Sequence, residues 1–355
     1  MTILDRNKIR PDILKLQDDN FKVIMKYLLQ FAGLEENKQF NFPKIYKKVL
    51  DLNELFFKER VNMVELNDKL TAEERNYVKN ILRYTIEHSS AEELEKNPIP
   101  KEIKIESVTL GNIPAEWIIP SEPLKDHVIL YIHGGGWIFG SPLTCRKLTS
   151  TIAKASGLKI LSIDYRLSPE YPFPTPLNDC VNAYKWLLSN GYNSKDIIIA
   201  GDSAGGNLTL GTLLKLRDEG NNLPAGAICL SPATDFTFSD ESYFRNAETD
   251  PSLADVGFFW WYVAYLGDDD PRNPYISPLF GDLRDLPPIL VQVSSSEMLY
   301  SDSTRFVEKA KNAGTKAILQ SWDDMSHVFQ DLSDEIAEAK DAITKIADFT
   351  YSIFL

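Results

Sequence analysis

Cysteine is scarce in this chain. Its 355 residues include only 3, Cys145, Cys180 and Cys229, well separated and without C-x-x-C spacing. That excludes a disulfide framework and a zinc cluster, and it fits a reducing compartment. Long apolar runs are also missing. The longest, Phe258 to Leu266, is about half the length of a membrane span and reads as a buried helix. The opening, MTILDRNKIRPDILKLQDDN, is too charged to hold a signal peptide's apolar stretch, so a cytoplasmic location is expected. Basic residues are in deficit, with 38 Lys and Arg against 51 Asp and Glu and a net charge of −13. A phosphate backbone or an anionic membrane surface would repel such a chain, so no nucleic-acid partner is expected and no membrane span. Repeats and low-complexity segments are absent.

What is present reads as globular. Hydrophobic residues make up 43% and charged residues 25%, enough to build a core. The length suits two domains, or one large domain carrying insertions. Composition changes near residue 100. Before it, apolar residues recur at helical spacing: Phe21, Ile24, Tyr27/Leu28 and Phe31, then Ile45, Val49, Leu52 and Leu55/Phe56. Thr71-Ala72-Glu73-Glu74 has the form of a capping box before a third helix through Tyr77, Ile81 and Tyr84. Residues 1–100 are therefore expected to form an N-terminal helical region, closed by Pro98-Ile99-Pro100.

From 101 onward β-branched runs alternate with helical stretches. Strands are expected at Ile103–Leu110, Ala115–Ile119, Val128–Ile132, Lys159–Asp164, Asp196–Ala200, Ala227–Leu230, Ile289–Val293 and Lys316–Ser321. Helices are expected near 145–156, 177–190, 204–218, 301–313 and 333–353. Such alternation predicts an α/β fold, a mostly parallel eight-stranded sheet with helices on both faces over residues 101–355. One insertion, about 235–285, carries the cluster Phe258-Phe259-Trp260-Trp261-Tyr262 and has the length of a functional lid.

Two motifs follow strands. Gly201-Asp202-Ser203-Ala204-Gly205 matches G-x-S-x-G; about 0.06 chance matches are expected at this composition, so the setting has to carry the argument. The apolar Ile197-Ile198-Ile199-Ala200 precedes it and a helical Leu208–Leu216 follows. Strand–turn–helix is what a nucleophile elbow requires, because the glycines permit a tight turn that lifts the serine hydroxyl above the sheet. A plain glycine-rich turn with an N-cap serine is the competing reading. His133-Gly134-Gly135-Gly136-Trp137 follows Val128–Ile132. Amides unobstructed by Cβ atoms can be aimed at a developing oxyanion there. A phosphate cradle fits less well, since neither a following Lys-Ser/Thr nor G-x-G-x-x-G is present.

Elimination identifies a base. Of the four histidines, His88, His127, His133 and His327, only His327 follows Ser203, and elbow enzymes run Ser, acid, His along the chain. The acid is expected just after the strand Ile289–Val293, where Glu297 is the preferred residue and Asp302, which reads as a helix cap, its competitor.

With these pieces the sequence resembles the hormone-sensitive-lipase branch of the α/β-hydrolases over roughly residues 105–350. The resemblance includes His133-Gly134-Gly135-Gly136, Asp164-Tyr165-Arg166-Leu167-Ser168-Pro169-Glu170, Gly201 to Gly206, Ser277-Pro278-Leu279 and His327-Val328-Phe329. It implies nucleophile Ser203, base His327 and an oxyanion hole from the amides of Gly134, Gly135 and Ala204. Many relatives have Asp where Glu297 stands, although a subgroup has Glu. It further implies a cap over the site from the N-terminal helices and the 235–285 insertion. The expected activity is cofactor-free cleavage of small carboxylic esters, with short to medium acyl chains, through an acyl-enzyme; no metal is implied. Lactones, amides and thioesters are alternative substrates for the same site. A non-catalytic small-molecule receptor is a rival disfavoured by the presence of His327. Relatives are often dimers, which makes a homodimer a candidate assembly. Tyr165, Arg166 and Glu170 read as a fixed loop whose charges pair beneath the glycine segment. Trp137, Phe139, Trp260 and Trp261 are candidate pocket residues, alongside their ordinary role as core.

Overall fold

The computed structural model describes residues 3–124, 126–254 and 259–354. Phe258, at the head of the aromatic cluster, lies outside the described residues. The chain opens with four helices: α1 (Pro11–Ala32), α2 (Phe42–Glu59), α3 (Met63–Asp68) and α4 (Ala72–Lys96). The α4 capping box forms in both directions. The Glu74 amide donates to Thr71 Oγ1 at 3.1 Å, and the Thr71 amide donates to Glu74 Oε2 at 2.8 Å. The α2 stripe is buried as its spacing requires, through Ile45, Val49, Leu52 and Phe56. On α1 the stripe is narrower than expected. Leu28 and Phe31 are buried, but Phe21 is 52% exposed, because the following helices cover only one end of α1.

The remaining elements are β1 (Ile103–Leu110), β2 (Ile113–Pro120), β3 (Val128–Ile132), α5 (Arg146–Ser156), β4 (Lys159–Ile163), α6 (Thr175–Ser189), β5 (Ile197–Asp202) and α7 (Ala204–Asp218). They continue as β6 (Gly226–Leu230), α8 (Ser242–Arg245), α9 (Phe259–Leu266), β7 (Ile289–Ser294), α10 (Tyr300–Asn312), β8 (Ala317–Trp322) and α11 (Ala337–Phe354). The eight strands form one sheet in the order β1-β2-β4-β3-β5-β6-β7-β8. Strand β2 is antiparallel to both neighbours, and every pair from β4 to β8 is parallel. The eight-stranded, mostly parallel sheet is as expected.

Side chains alternate across it with period two. Val128, Leu130 and Ile132 of β3 enter the core that contains α6, α7 and α10. Ile129 and Tyr131 enter the opposite core, with α5 and α11. Both faces are covered, which is why the central strands read as continuous apolar runs. The insertion packs on the N-terminal helices. Phe56 of α2 lies 5.6 Å from Phe238 and 5.7 Å from Phe244, and Asn53 donates to the Ala254 carbonyl. Among the described residues, no helix is long and apolar enough to cross a membrane.

Candidate active site

Strand order reverses between β4, β3 and β5, and ligand sites of open parallel sheets lie at the carboxyl ends of the strands there. Ser203 occupies the turn between β5 and α7 with φ 51° and ψ −117°, a left-handed backbone that is strained for a residue with a Cβ. Its amide donates to the Leu230 carbonyl at 2.8 Å. The turn is tight because Gly205 lies against β3: a Cβ there would collide with the Ile132 carbonyl oxygen. This is the elbow the motif implied, with β5 running two residues further into it than its apolar pattern suggested.

The glycine loop leaves the end of the adjacent β3. Gly135 (φ 112°) and Gly136 (φ 56°) take conformations that favour glycine. The Gly134 amide, expected among the oxyanion donors, is engaged elsewhere: it donates to Asp202 Oδ1 at 3.1 Å, and Tyr131 donates its hydroxyl to the same oxygen at 2.8 Å. Burial pushes the Asp202 carboxyl up, against these two donors. Gly136 borders the cavity that holds Ser203. Below the loop, the Tyr165 hydroxyl donates to the His133 carbonyl at 3.0 Å and the two rings stack at 4.3 Å. Arg166 and Glu170 do not pair with each other. Arg166 grips Asp179 at 2.6 and 2.9 Å, while Glu170 receives Lys79 and Arg83 from α4 at 2.6 and 2.8 Å. Arg83 also donates to the Ile138 carbonyl at 2.7 Å, tying α4 to the glycine loop.

His327 stands in the loop between β8 and α11, with Nδ1 2.5 Å from Glu297 Oε2. Glu297 is buried, and its other oxygen accepts from the Ser294 amide at 2.7 Å and the Ser231 hydroxyl at 2.8 Å. Nε2 of His327 is buried and has no hydrogen-bond partner among the described residues. Burial works against the imidazolium, but the Glu297 hydrogen bond and the charges of Glu297, Asp250 and Asp202 outweigh it and raise the His327 pKa. One dipeptide touches all three segments. The Leu230 carbonyl holds the Ser203 amide, and the Ser231 hydroxyl donates to Glu297 and accepts the Val328 amide at 3.4 Å.

The competing acid is elsewhere. Asp302 Oδ2 accepts the amides of Thr234 and Asp235, fastening the start of the insertion, and it does not cap α10. Burial raises its carboxyl to about 7. The other histidines have separate roles. His88 stacks on Tyr84 within α4, His127 stacks on Phe354, and burial lowers His133 to about 4.

The cavity at Ser203 has room for about one water, some 20 Å³, and is lined by Gly136, Trp137, Leu253, Trp261, Tyr262, Met298 and Leu299. Of the candidate pocket residues, Trp137 and Trp261 line it. Trp260 does not and is plain core, and Phe139 stands behind, edge-on to Trp261 at 5.2 Å. Leu253, Met298 and Leu299 were not singled out from the sequence. The last two follow Glu297 directly, which is the one signal that could have found them; Leu253 and Ser231 carried none.

A serine on a strained strand-to-helix turn, beside a glycine loop from the neighbouring strand and a buried His–Glu pair, is the site architecture of the α/β-hydrolase class. The family described as the alpha/beta hydrolase fold matches residues 129–331. An acetyl-hydrolase of Streptomyces hygroscopicus is 38% identical over 236 residues, 66% of this chain and 79% of that protein. An esterase of Acinetobacter venetianus is 37% identical over 254 residues, 71% of this chain and 84% of its own length. The crystal structure of an esterase from the bacterial hormone-sensitive lipase family superposes with a TM-score of 0.71 at 37% identity, covering 88% of this chain and 99% of that one. A hormone-sensitive lipase from a metagenome library gives 0.74 at 35% identity, covering 85% and 99%. The chain belongs to the α/β-hydrolase family, in its hormone-sensitive-lipase branch.

Proposed function

We propose that this protein hydrolyses carboxylic esters through an acyl-enzyme on Ser203, with His327 as base and Glu297 as the orienting acid. The observation that carries this reading is the short contact between His327 Nδ1 and Glu297, which leaves Nε2 buried and, among the described residues, without a hydrogen-bond partner, around the same Leu230-Ser231 dipeptide that holds the elbow. His327 Nε2 takes the hydroxyl proton as Ser203 attacks the ester carbonyl, and Glu297 stabilises the imidazolium. The proton then passes to the departing alkoxide, and water, activated by the same nitrogen, releases the acid. Because the Gly134 amide is engaged by Asp202, the oxyanion is assigned to the amides of Gly135, Gly136 and Ala204, each such donor contributing about 3 kcal/mol.

The acyl group is assigned to the short end of the range. The apolar, aromatic-walled space beside Ser203 supports this, as do relatives named acetyl-hydrolase and esterase. Helices α1–α4 and the 235–285 segment are assigned as a cap; Leu253, Trp261 and Tyr262 of that segment border the cavity. The test is a chain-length series of aryl esters on the wild type and Ser203→Ala. Acetyl to butyryl esters should turn over fastest, and the variant should be inactive. Turnover by Ser203→Ala near the wild-type rate refutes the assignment.

A further inference from the structure

Residues 4–16, the segment before α1 together with the start of α1, run beside the loop of the proposed base and touch the strap that crosses the loop of the proposed acid. Ile9 and the buried Ile13 form one apolar cluster with Met325, Phe329, Ile336, Ala339 and Ala342. Met325 and Phe329 each lie two residues from His327. Arg10 fixes this segment to the first turn of α11 through Glu338 at 2.6 Å. On its other side, the Asp5 amide donates to the Glu248 carbonyl at 2.8 Å, and Lys8 pairs with the Glu248 carboxylate.

Glu248 sits within a strap across the acid loop. Asn246 Nδ2 donates to the Ser295 and Glu297 carbonyls, each at 2.9 Å. The Thr249 hydroxyl donates to the Ser296 carbonyl at 2.9 Å, and Asp250 Oδ2 accepts the Met298 amide at 2.9 Å. The inner faces of both loops are already pinned to the sheet. Ser294 Oγ donates to the Met325 carbonyl at 2.8 Å and accepts the Met325 amide at 3.1 Å. What the sheet does not supply is an outer wall. Residues 4–16 and the 246–250 strap provide one.

We propose that residues 4–16 are a brace that holds the His327 loop and, through Glu248 and the 246–250 strap, the Glu297 loop at their working separation, with Ile13 as its principal positioning residue. This rests on the assignment of His327 and Glu297 as base and acid. Neither Ile9 nor Ile13 lines the cavity, so the brace acts through the His327–Glu297 contact and not through substrate binding. The groups facing His327 are Glu297, Asp250 and Asp202, and the first two are carried by the loop and the strap. Slackening the brace therefore weakens the interactions that favour the imidazolium.

The test compares full-length wild type, Ile13→Ala and the conservative Ile13→Val on an aryl acetate, well below each melting temperature. Ile13→Ala should lose about 10- to 100-fold in kcat with KM unchanged, as a sub-ångström displacement of a base does. Its acid limb in kcat/KM should move to lower pH, and the downfield proton resonance of the His327–Glu297 hydrogen bond should shift upfield. Ile13→Val should restore most of each. If Ile13→Ala does not fold, Ile9→Ala, whose side chain belongs to the same cluster, carries the same three readouts. A lowered melting temperature with wild-type kcat, acid limb and proton resonance overturns the brace. The underlying assignment fails separately, through activity of Ser203→Ala.

Discussion

Glu297→Gln is nearly isosteric, yet the surroundings of Glu297 dictate which way the new amide must face. One carboxylate oxygen accepts from the Ser294 backbone amide, a donor that cannot rotate away. The Gln carbonyl must take that place, with the Ser231 hydroxyl still donating to it. The amide NH2 is then left against His327 Nδ1, where the carboxylate stood at 2.5 Å. Two donors cannot share that distance, so the imidazole moves its proton to Nε2, which puts a hydrogen where the Ser203 proton must be received. Kinetic loss of about 10³- to 10⁴-fold in kcat follows, or about 4 to 5.5 kcal/mol of transition-state stabilisation. The fold should persist, since a buried charge is removed while two of its hydrogen bonds survive. Steady-state hydrolysis of an aryl acetate, with circular dichroism as control, measures this. Turnover within about tenfold of wild type would show that Glu297 does not set the tautomer, and Asp302→Asn run in parallel would show whether the alternative acid does.

Four further outcomes can be checked. Ser203→Gly should raise the melting temperature while abolishing turnover, because relief of a positive φ in a residue with a Cβ stabilises by about 1 kcal/mol; a lowered melting temperature would count against strain at the elbow. Gly205→Ala should destabilise by about 3 kcal/mol or fail to fold, as its methyl would run into the carbonyl oxygens of both Ile132 and His133, and a near-native denaturation midpoint refutes that packing. The acid limb of kcat/KM should lie above the ordinary histidine value of about 6.5, since the base must be neutral and His327 is raised; a limb near pH 4 refutes His327 as base. Asp302, raised to about 7, holds its proton more tightly folded than unfolded, so its contribution falls as pH rises from about 4 to 7. The stability of Asp302→Asn relative to wild type should therefore improve over that window, as melting temperatures across it will register.

Much of the candidate site was legible in the chain's own pattern. Ser203, His327 and the glycine loop were recoverable because each rests on local covalent pattern: a strand, a glycine turn and a helix start within ten residues, or the only histidine late enough in the chain. Glu297 was recoverable from its distance after a strand. What failed did so at long-range pairings. The Gly134 amide turned from the expected oxyanion to Asp202, 68 residues away, and the charge partners of Glu170, Lys79 and Arg83, come from α4, 91 and 87 residues away. Asp302 had the look of a helix cap and instead holds the backbone of Thr234 and Asp235. Phe21 matched a helical stripe, but whether a stripe is buried depends on which neighbour reaches it.

The alternation of apolar runs and helical stretches by itself determined an eight-stranded, mostly parallel sheet with a serine turn and a glycine loop at adjacent strand ends, because backbone geometry and side-chain period are properties of neighbouring residues. Only tertiary structure decided that the Gly134 amide is taken by Asp202, that Asp302 turns to the backbone of Thr234 and Asp235, and that Ile9 and Ile13 pack beside the His327 loop. Those outcomes depend on hydrogen bonds and apolar contacts between residues dozens to hundreds of positions apart, and no local pattern in the chain records such a meeting.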